Sequence, residues 1–207
     1  MHQTRSESTT KLPITRKGTK YVARALIAHR DSVPVVIALR DMLGLAANAK
    51  EVKEMIKDKI ISINWRQVFD YRESVQLFSI LTVGGKNYVL SFTETGKFTF
   101  SESKESKKRL CKVIGKRLVN GNKIQINLHD GTNIIGTKSM NTNDSLYIDS
   151  DGKVSKHIPL SEAKEVFVIH GKYIGQHGAL KAVKEGSAIV SFKEGSATLP
   201  LRSIIAI

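Results

Sequence analysis

The stretch Val33–Leu81, VPVVIALRDMLGLAANAKEVKEMIKDKIISINWRQVFDYRESVQLFSIL, decides how this chain is organised. Its apolar spacing predicts two short amphipathic helices followed by an extended, hairpin-like segment. The first helix is expected from Pro34 to Leu43, because a proline suits the first helical position, where its missing N–H is not needed. Gly44 follows, as expected for a residue that ends a helix in the left-handed region. The apolar positions i, i+3 and i+7 of this helix are Val36, Leu39 and Leu43.

The second helix is predicted to begin at Asn48. The Asn48 side chain can accept hydrogen bonds from the first turn, and Glu51 stands where a capping box places a carboxylate. The apolar face consists of Ala49, Val52 and Ile56, with Met55 beside it. A cationic stripe has the same spacing and consists of Lys50, Lys53 and Lys57, with Arg40 added from the first helix. The helix pattern alone fits a solvated charged face as well as a face that binds nucleic acid.

The charge of the whole chain favours a polyanionic partner. Among 207 residues, 33 are Lys or Arg and 19 are Asp or Glu, a net charge of +14. Such a surface binds nucleic acid because each neutralised phosphate releases counterions. The alternatives are a soluble basic protein and a protein that binds a membrane surface. No apolar run approaches the ~20 residues that span a bilayer.

Two further features narrow the class of protein. The polar residues Ser6–Thr10 stand where a signal peptide would need an apolar core, so we expect a cytoplasmic protein. Cys111 is the single cysteine, which excludes an intrachain disulfide and a zinc site made of several cysteines.

The chain length permits one large domain or two to three small ones, and the pattern favours small modules. Residues 1–32 read as a basic arm, extended or disordered until it meets its partner. Residues 33–95 form the helical module with the strands that follow it. Residues 96–165 are expected to form a central β domain, and residues 166–207 a five-stranded barrel of SH3-like size. The charged residues of the arm are Arg5, Glu7, Lys11, Arg16, Lys17, Lys20, Arg24, Arg30 and Asp31.

Short strands separated by turn signals dominate the chain after the helices. Asn87–Phe92 and Lys97–Phe100 are expected to pair, and Lys123–Leu128 alternates as a half-buried strand does. Glu102–Arg109 reads as a linker or a short helix. The turn signals are Thr95-Gly96, Asn120-Gly121, His129-Asp130-Gly131 and Asp149–Gly152. Asn-Gly is the strongest of them, because both central positions of that turn need positive φ. The central part is therefore predicted to be a small antiparallel barrel or sandwich.

A glycine-rich loop follows the strand Val166–Ile169. Its sequence, HGKYIGQHGALK over 170–181, places glycines at 171, 175 and 178. Lys172, His177 and Lys181 lie among them, so the backbone N–H groups and the cations are candidates for contact with phosphates. The spacing alone fits an ordinary tight loop equally well. The later strands are expected at Lys181–Val183, Ala188–Phe192 and Thr198–Ile207, with a turn at Gly195.

Three segments resemble known families. Gly171–Lys181 resembles the KOW motif, which ribosomal proteins share with transcription elongation factors. Arg40-Asp-Met-Leu-Gly-Leu-Ala, followed by Ala49-Lys-Glu-Val-Lys-Glu-Met-Ile, resembles the two-helix core of the RNA-binding domain named after small-subunit ribosomal protein four. Gln125-Ile-Asn-Leu-His-Asp-Gly-Thr-Asn-Ile134 resembles the central domain of the archaeal and eukaryotic "e" version of that protein. The order of the three segments matches that family over residues 12–207, and the short C-terminal part looks archaeal.

The resemblance implies a structural component of the small ribosomal subunit that binds its rRNA, with no catalytic activity and no cofactor. One departure concerns the turn after the first strand of the helical module. The family usually has Asp-Gly-Lys there, whereas this chain has Asn64-Trp65-Arg66. Trp65 could stack on a base or on a neighbouring side chain, and Arg66 keeps the positive charge.

Enzymatic alternatives find little support in the sequence. Pseudouridine synthases that carry the same helical module need an aspartate after Arg-Leu, but Val119 follows Arg117-Leu118 here. Asp149 and Asp151 resemble the start of a calcium loop, but its sixth position holds Val154 instead of glycine. The stronger alternative is a non-ribosomal RNA-binding factor of transcription or translation that uses a KOW barrel.

We therefore predict an α+β protein of several modules, with a two-helix RNA-binding module, a central antiparallel β domain and a C-terminal SH3-like barrel. Its predicted function is that of a structural rRNA-binding constituent of the small ribosomal subunit in the cytoplasm. The expected partners are small-subunit rRNA and neighbouring ribosomal proteins, with no membrane, metal, cofactor or small-molecule substrate. The predicted RNA-binding residues are Arg16, Lys17, Lys20, Arg24, Arg30, Arg40, Lys50, Lys53, Lys57, Trp65, Arg66, Lys172, His177 and Lys181.

Overall fold

Antiparallel sheets make up most of the described part of the chain, and the two short helices found there lie in the first third of the sequence. The computed structural model describes residues 2–103, 107–119, 123–137, 139–184, 186–193 and 195–207. The chain divides into two units, Met1–Ser106 and Lys107–Ile207. The architecture is mostly β, with a small helical part and several antiparallel sheets, which confirms the coarse part of the expected fold class.

The first unit contains both helices and three small sheets. Its strands are β1 (His2–Thr4), β2 (Tyr21–Ala23), β3 (Ser32–Pro34), β4 (Ile61–Ile63), β5 (Arg66–Gln67), β6 (Ser74–Gln76), β7 (Ile80–Val83), β8 (Lys86–Phe92) and β9 (Phe98–Glu102). Its helices are α1 (Val35–Ile37), which continues as a π-helical turn (Ala38–Met42), and α2 (Ala49–Lys57). The sheet orders are β1-β2, β3-β6 and β5-β4-β7-β8-β9.

Strands β8 and β9 form the hairpin that the sequence predicts around Thr95-Gly96. Phe92 pairs with Phe98 in the ladder, and the two rings stack with their centroids 4.8 Å apart. Gly96 has the expected positive φ of 76°. Strand β9 belongs to the same sheet as β8, on the far side of the predicted module boundary at residue 95.

The first helix begins later than predicted. Pro34 ends strand β3, where it pairs with Ser74, and has the extended backbone of a residue that precedes a helix. The helix is then widened to a π-helical turn, in which the Leu43 N–H donates to the Ala38 carbonyl at 2.9 Å. The sequence pattern missed this start because a pairing partner 40 residues away fixes Ser32–Pro34 in a strand. Gly44 is left-handed as predicted, with φ of 65°.

The N-terminal segment is ordered, so the expectation of an extended or disordered arm was wrong. Strands β1 and β2 pair antiparallel, and Leu12 is buried. The Arg5 guanidinium bridges the chain to the backbone carbonyls of Thr15 and Thr19. These contacts within the chain order the segment, which was expected to become ordered only when a partner binds.

The second unit contains two five-stranded antiparallel sheets. Its strands are β10 (Lys108–Val119), β11 (Lys123–Leu128), β12 (Asn133–Gly136), β13 (Ser145–Asp149), β14 (Val154–Ile158), β15 (Glu165–Val168), β16 (His177–Lys184), β17 (Ser187–Phe192), β18 (Gly195–Pro200) and β19 (Ile204–Ala206). The central sheet has the order β12-β11-β10-β13-β14, and the C-terminal sheet has the order β18-β17-β16-β15-β19. Short 3-10 turns at Leu160–Glu162 and Leu201–Ser203 precede β15 and β19.

Most turn predictions for this unit agree with the structure. His129-Asp130-Gly131 and Asp149–Gly152 are turns between paired strands. Asn120-Gly121 lies outside the described residues, and the strands on either side of it pair, with Val119 opposite Lys123. Within Glu102–Arg109, the described residues hold the end of β9 and the start of β10, and no helix.

Strand β10 passes from the interior to the surface. Its first half pairs with β13, and residues 109–113 are buried. Its second half pairs with β11, and its residues from Ile114 onward are exposed apart from Gly115. Cys111 is 1% exposed, and burial raises the pKa of its thiol above the usual range.

Two buried cations lie in the first half of β10, on opposite faces of the strand. The Arg109 guanidinium pairs with the buried carboxylate of Asp130 and donates to Thr132 Oγ1 at 3.1 Å. The Lys112 ammonium donates to the carbonyls of Leu201 and Ile204 at 2.7 and 2.6 Å. Burial lowers the pKa of Lys112 to about 8. Lys112 therefore connects the central sheet to the chain between β18 and β19 of the other sheet.

Candidate nucleic-acid interface

Helix α2 presents the predicted cationic stripe to solvent. Asn48 Oδ1 accepts from the N–H groups of Lys50 and Glu51 at 2.9 and 3.0 Å, which fixes the start of the helix. Glu51 accepts from the Ala47 N–H at 2.7 Å, one residue earlier than a standard capping box. Val52 is fully buried on one side, so the opposite side faces outward. The exposed stripe consists of Lys50, Lys53 and Lys57.

Arg40 and Lys53 each have a protein partner at the surface. Arg40 makes a two-pronged contact with Asp41, at 3.0 and 2.7 Å, and this hydrogen bonding raises the pKa of Arg40. Lys53 lies over the Tyr71 ring, with its ammonium 4.9 Å from the centroid. Because exposed ion pairs contribute about 0–1 kcal/mol, the Asp41 contact orients Arg40 without withholding it from a stronger anion.

The Asn64-Trp65 turn joins β4 and β5 as a two-residue hairpin. Both residues have positive φ, 48° and 65°, which is the backbone of a type I′ turn. The Asn64 side chain supports the turn by accepting from the Ile80 N–H at 2.9 Å. Trp65 is half-buried, and Arg66 is exposed beside it while pairing with Glu73. A tryptophan in this conformation is strained, as is common for residues that serve a function.

The basic residues of the N-terminal segment border an open cavity of about 1070 Å³ in the first unit. Arg16, Lys17 and Lys20 are exposed on the loop that Arg5 fastens. Gly18 allows this close packing, because an added Cβ would lie 3.0 Å from the Arg5 guanidinium. Side chains with hydroxyl groups supply much of the remaining lining: Thr4, Ser6, Ser8, Thr9, Thr10, Thr15 and Thr19.

The remaining two arginines of this segment differ in exposure. Arg24 is half-buried, and Arg30 is exposed.

In the glycine-rich segment of the second unit, the loop ends earlier than predicted. Strand β16 begins at His177, so His177, Gly178 and Lys181 belong to a strand. Gly178 has ordinary φ, and an added Cβ there would approach Val190 Cγ1 to 2.4 Å, so close packing explains this glycine. Gly171 and Gly175 do have positive φ, 96° and 84°.

Aromatic contacts hold the segment in place. The Tyr173 ring stacks on Phe192 with centroids 4.7 Å apart, and the His177 ring meets the edge of Phe167 at 4.9 Å. Lys172, His177 and Lys181 are exposed, and Lys172 extends over the Tyr173 ring. The segment therefore displays its cations from a fixed backbone.

Sequence reasoning missed several other exposed or positioning cations. Arg5 was counted only as part of the arm charge, although it positions the loop that carries Arg16 and Lys17. Lys116, Arg117 and Lys123 lie exposed on the central sheet, and none of them was among the predicted RNA-binding residues. Their signal was the absence of acidic residues around them.

No helix among the described residues is long and apolar enough to cross a membrane. Within the same residues, no group of three or more His, Cys, Asp and Glu side chains is arranged to hold a metal ion.

Known proteins show to which family the chain is related. It is 32% identical over 178 residues to small ribosomal subunit protein eS4 of Methanocella arvoryzae, an alignment that covers 83% of this chain and 76% of the relative. The chain belongs to the eS4 family. Small ribosomal subunit protein eS4 of Archaeoglobus fulgidus is 31% identical over 189 residues, covering 89% and 80% of the two chains. The model of ribosomal family S4e matches residues 84–154.

A solved structure has the same fold. The crystal structure of 30S ribosomal protein S4e from Thermoplasma acidophilum superposes with a TM-score of 0.73 at 24% identity, covering 86% of this chain and 95% of the other. It shows that the fold is shared. The eS4 family is a family of ribosomal proteins without enzymatic activity, and both named relatives are archaeal, as the resemblance implied.

Proposed function

We propose that this chain is a structural constituent of the small ribosomal subunit and binds its rRNA through cationic surfaces on both units. The observation that carries the proposal is helix α2, in a chain of the eS4 family. Its apolar residue Val52 is fully buried, while Lys50, Lys53 and Lys57 share the exposed side at helical spacing. Three ammonium groups at successive turns on one side of the helix match the repeated charges of a phosphate backbone.

The modules expected from the resemblance remain part of the proposal. Residues 33–95 would be the two-helix RNA-binding module, extended by β9, and residues 1–32 the basic arm. Residues 96–165 would be the central domain. Residues 166–207 would be a KOW-type, SH3-like barrel, which five antiparallel strands and the 3-10 turn before β19 support.

The individual contacts follow from chemistry and exposure. Lysine and arginine side chains would neutralise phosphates, and the fixed backbone around Gly175 would bring Lys172 to one of them. Trp65, which is half-buried beside the exposed Arg66, would stack on a base. Neighbouring ribosomal proteins would cover apolar side chains that the first unit exposes: Leu26, Ile27 and Phe69.

The decisive experiment reverses the charges of the stripe. We expect the change of Arg40, Lys50, Lys53 and Lys57 to Glu to abolish binding to isolated small-subunit rRNA, while the far-UV spectrum is unchanged because all four side chains are exposed. For the wild type, log affinity should fall linearly with log salt, with a slope of about −0.7 to −0.9 per contacted phosphate.

A matched control reverses four exposed lysines outside the proposed sites: Lys86, Lys107, Lys153 and Lys193. This variant should retain most of its affinity. In cells, the wild-type protein should stay with small subunits through a high-salt wash, whereas a loosely bound translation factor would be released. Retained affinity in the folded stripe variant, or loss of the wild type in the wash, would contradict the proposal.

A further inference from the structure

Strands β10, β11 and β12 carry an exposed face that none of the surfaces described above includes. Ladder partners in adjacent strands lie on the same side of a sheet. One row across the three strands consists of Arg117, Gln125 and Ile135, and the next consists of Gly115, Asn127 and Asn133. Val119 and Lys123 form a third pair. The alternate residues Ile124, Ile126 and Ile134 pack into the central core, so these rows point away from it.

The charge on this face is entirely positive. Between Val113 and Asn143 the sequence contains a single acidic residue, Asp130. Its carboxylate is 3% exposed and pairs with Arg109 inside the sheet. Arg117 and Lys123 are exposed, with no carboxylate nearby in the sequence of these strands. An anionic partner is the one that such a face attracts.

The remaining side chains specify the kind of anion. Gln125 Nε2 donates to Asn127 Oδ1 at 3.1 Å, so neighbouring amides are aligned along β11. Amides both donate and accept hydrogen bonds, as a ribose 2′-hydroxyl does. The described residues of the three rows include no aromatic ring on which a base could stack. Ile135 is 70% exposed and offers an apolar contact between the polar groups.

Gly115 adds room for close approach. It follows a β-bulge in β10, and an added Cβ would meet nothing nearer than Asn127 Nδ2 at 3.9 Å. Packing within the protein therefore does not require a glycine at this corner of the face. A ligand that lies flat across the strands can contact the backbone there.

We propose that this face binds the sugar–phosphate backbone of an A-form RNA helix along its shallow minor groove. Arg117 and Lys123 contact phosphates, Gln125 and Asn133 contact 2′-hydroxyls, and Ile135 lies against a ribose. The inference rests on the proposed rRNA-binding function and adds a second, shape-reading surface in the central domain. Double-stranded RNA is recognised in this way, through shape, phosphates and 2′-hydroxyls.

The test uses the full chain with three probes: an RNA duplex, a DNA duplex of the same sequence and a single-stranded RNA. Arg117→Gln with Lys123→Gln should reduce the slope of log affinity against log salt for the RNA duplex by about 1.5 to 2, since two phosphate contacts are lost. Gln125→Ala with Asn133→Ala should keep that slope and reduce the preference for RNA over DNA duplex about tenfold. Lys153→Gln with Lys156→Gln, at the opposite edge of the same sheet, should change neither quantity.

Three results would overturn the inference. Both variants could bind the RNA duplex with wild-type affinity. Alternatively, their affinity for single-stranded RNA could fall as much as their affinity for the RNA duplex, which would mean that the face does not recognise a duplex backbone. They could also keep RNA binding and fail to enter small subunits, which would make the face a contact for a ribosomal protein. A wild type that binds none of the RNAs would instead contradict the proposed function itself. The two failures are therefore distinguishable.

Discussion

The two halves of strand β10 have nearly the same composition and opposite environments. Lys108–Val113 reads KRLCKV, and Ile114–Val119 reads IGKRLV. In the first half, Arg109, Cys111 and Lys112 are buried, and Lys112 contacts the chain at β19. In the second half, Leu118 is 66% exposed. A basic and apolar alternation therefore does not determine burial, which depends on the layers that neighbouring strands supply.

The largest effect is expected from removing the partner of the buried arginine. Asp130→Asn leaves the Arg109 charge buried without a carboxylate, and this should lower the free energy of unfolding of the second unit by about 3–5 kcal/mol. Chemical denaturation of the full chain, followed by a probe in that unit, measures the change. Since a domain has a reserve of about 5–15 kcal/mol, the loss would be large.

The control for this change removes the charge as well. Arg109→Met combined with Asp130→Asn should recover most of the stability, because replacement of a whole buried pair costs little. Asp151→Asn, in an exposed turn, should have no measurable effect. If the single and double variants were equally unstable, the buried charge would not be the cause.

Lys112 should make the stability of the first half of β10 depend on pH. Its pKa is lowered to about 8 in the folded protein, against 10.5 for the free side chain. Between these values the unfolded chain binds more protons, so the contribution of Lys112 to stability rises with pH above 8 and is complete near 10.5. The gain is on the order of 1–3 kcal/mol, because the carbonyls of Leu201 and Ile204 favour the charged form and offset part of the desolvation.

Comparison of the wild type with Lys112→Met isolates this effect. Stability of the two proteins, measured at pH 8, 9 and 10, should diverge in favour of the wild type as pH rises. Other lysines and Cys111 are common to both proteins, so their titration cancels. Parallel curves would show that the Lys112 ammonium loses no proton in this range.

The smallest effect is expected in the second half of β10. Leu118→Thr should change the free energy of unfolding by less than about 0.5 kcal/mol, because the side chain is exposed and threonine suits a strand. Leu110→Thr is the matched change in the buried half and should cost several times more, since it removes packing and adds a buried hydroxyl. Equal costs at the two positions, measured by thermal melts, would remove the distinction between the halves.

The sequence correctly predicted the helix cap and the turns that depend only on interactions between residues close together in the chain. The Asn48 cap, the left-handed Gly44 and the turns at Gly96 and Gly131 all depend on residues within one turn of the chain. The start of the first helix was wrong, because the pairing of Ser32–Pro34 with Ser74–Gln76 is a long-range event that no short window contains.

The same distinction between local and long-range interactions separates the features of the candidate site that the sequence predicted from those that it missed. Helical spacing correctly predicted that Lys50, Lys53 and Lys57 are exposed, since Val52 must face the core. Gly178 was grouped with the loop glycines, although its role is to leave space for Val190 in the adjacent strand. The face of Arg117, Gln125 and Ile135 was missed because cross-strand register decides which residues of β10, β11 and β12 become neighbours.

The position of Cys111 gives the protein an internal reporter of its own opening. The thiol is buried and its pKa is raised, so an electrophilic thiol reagent cannot react with it while the central sheet is closed. As the single cysteine of the chain, it gives one labelling signal without any engineering. The labelling rate therefore reports how often the buried half of β10 separates from its neighbours.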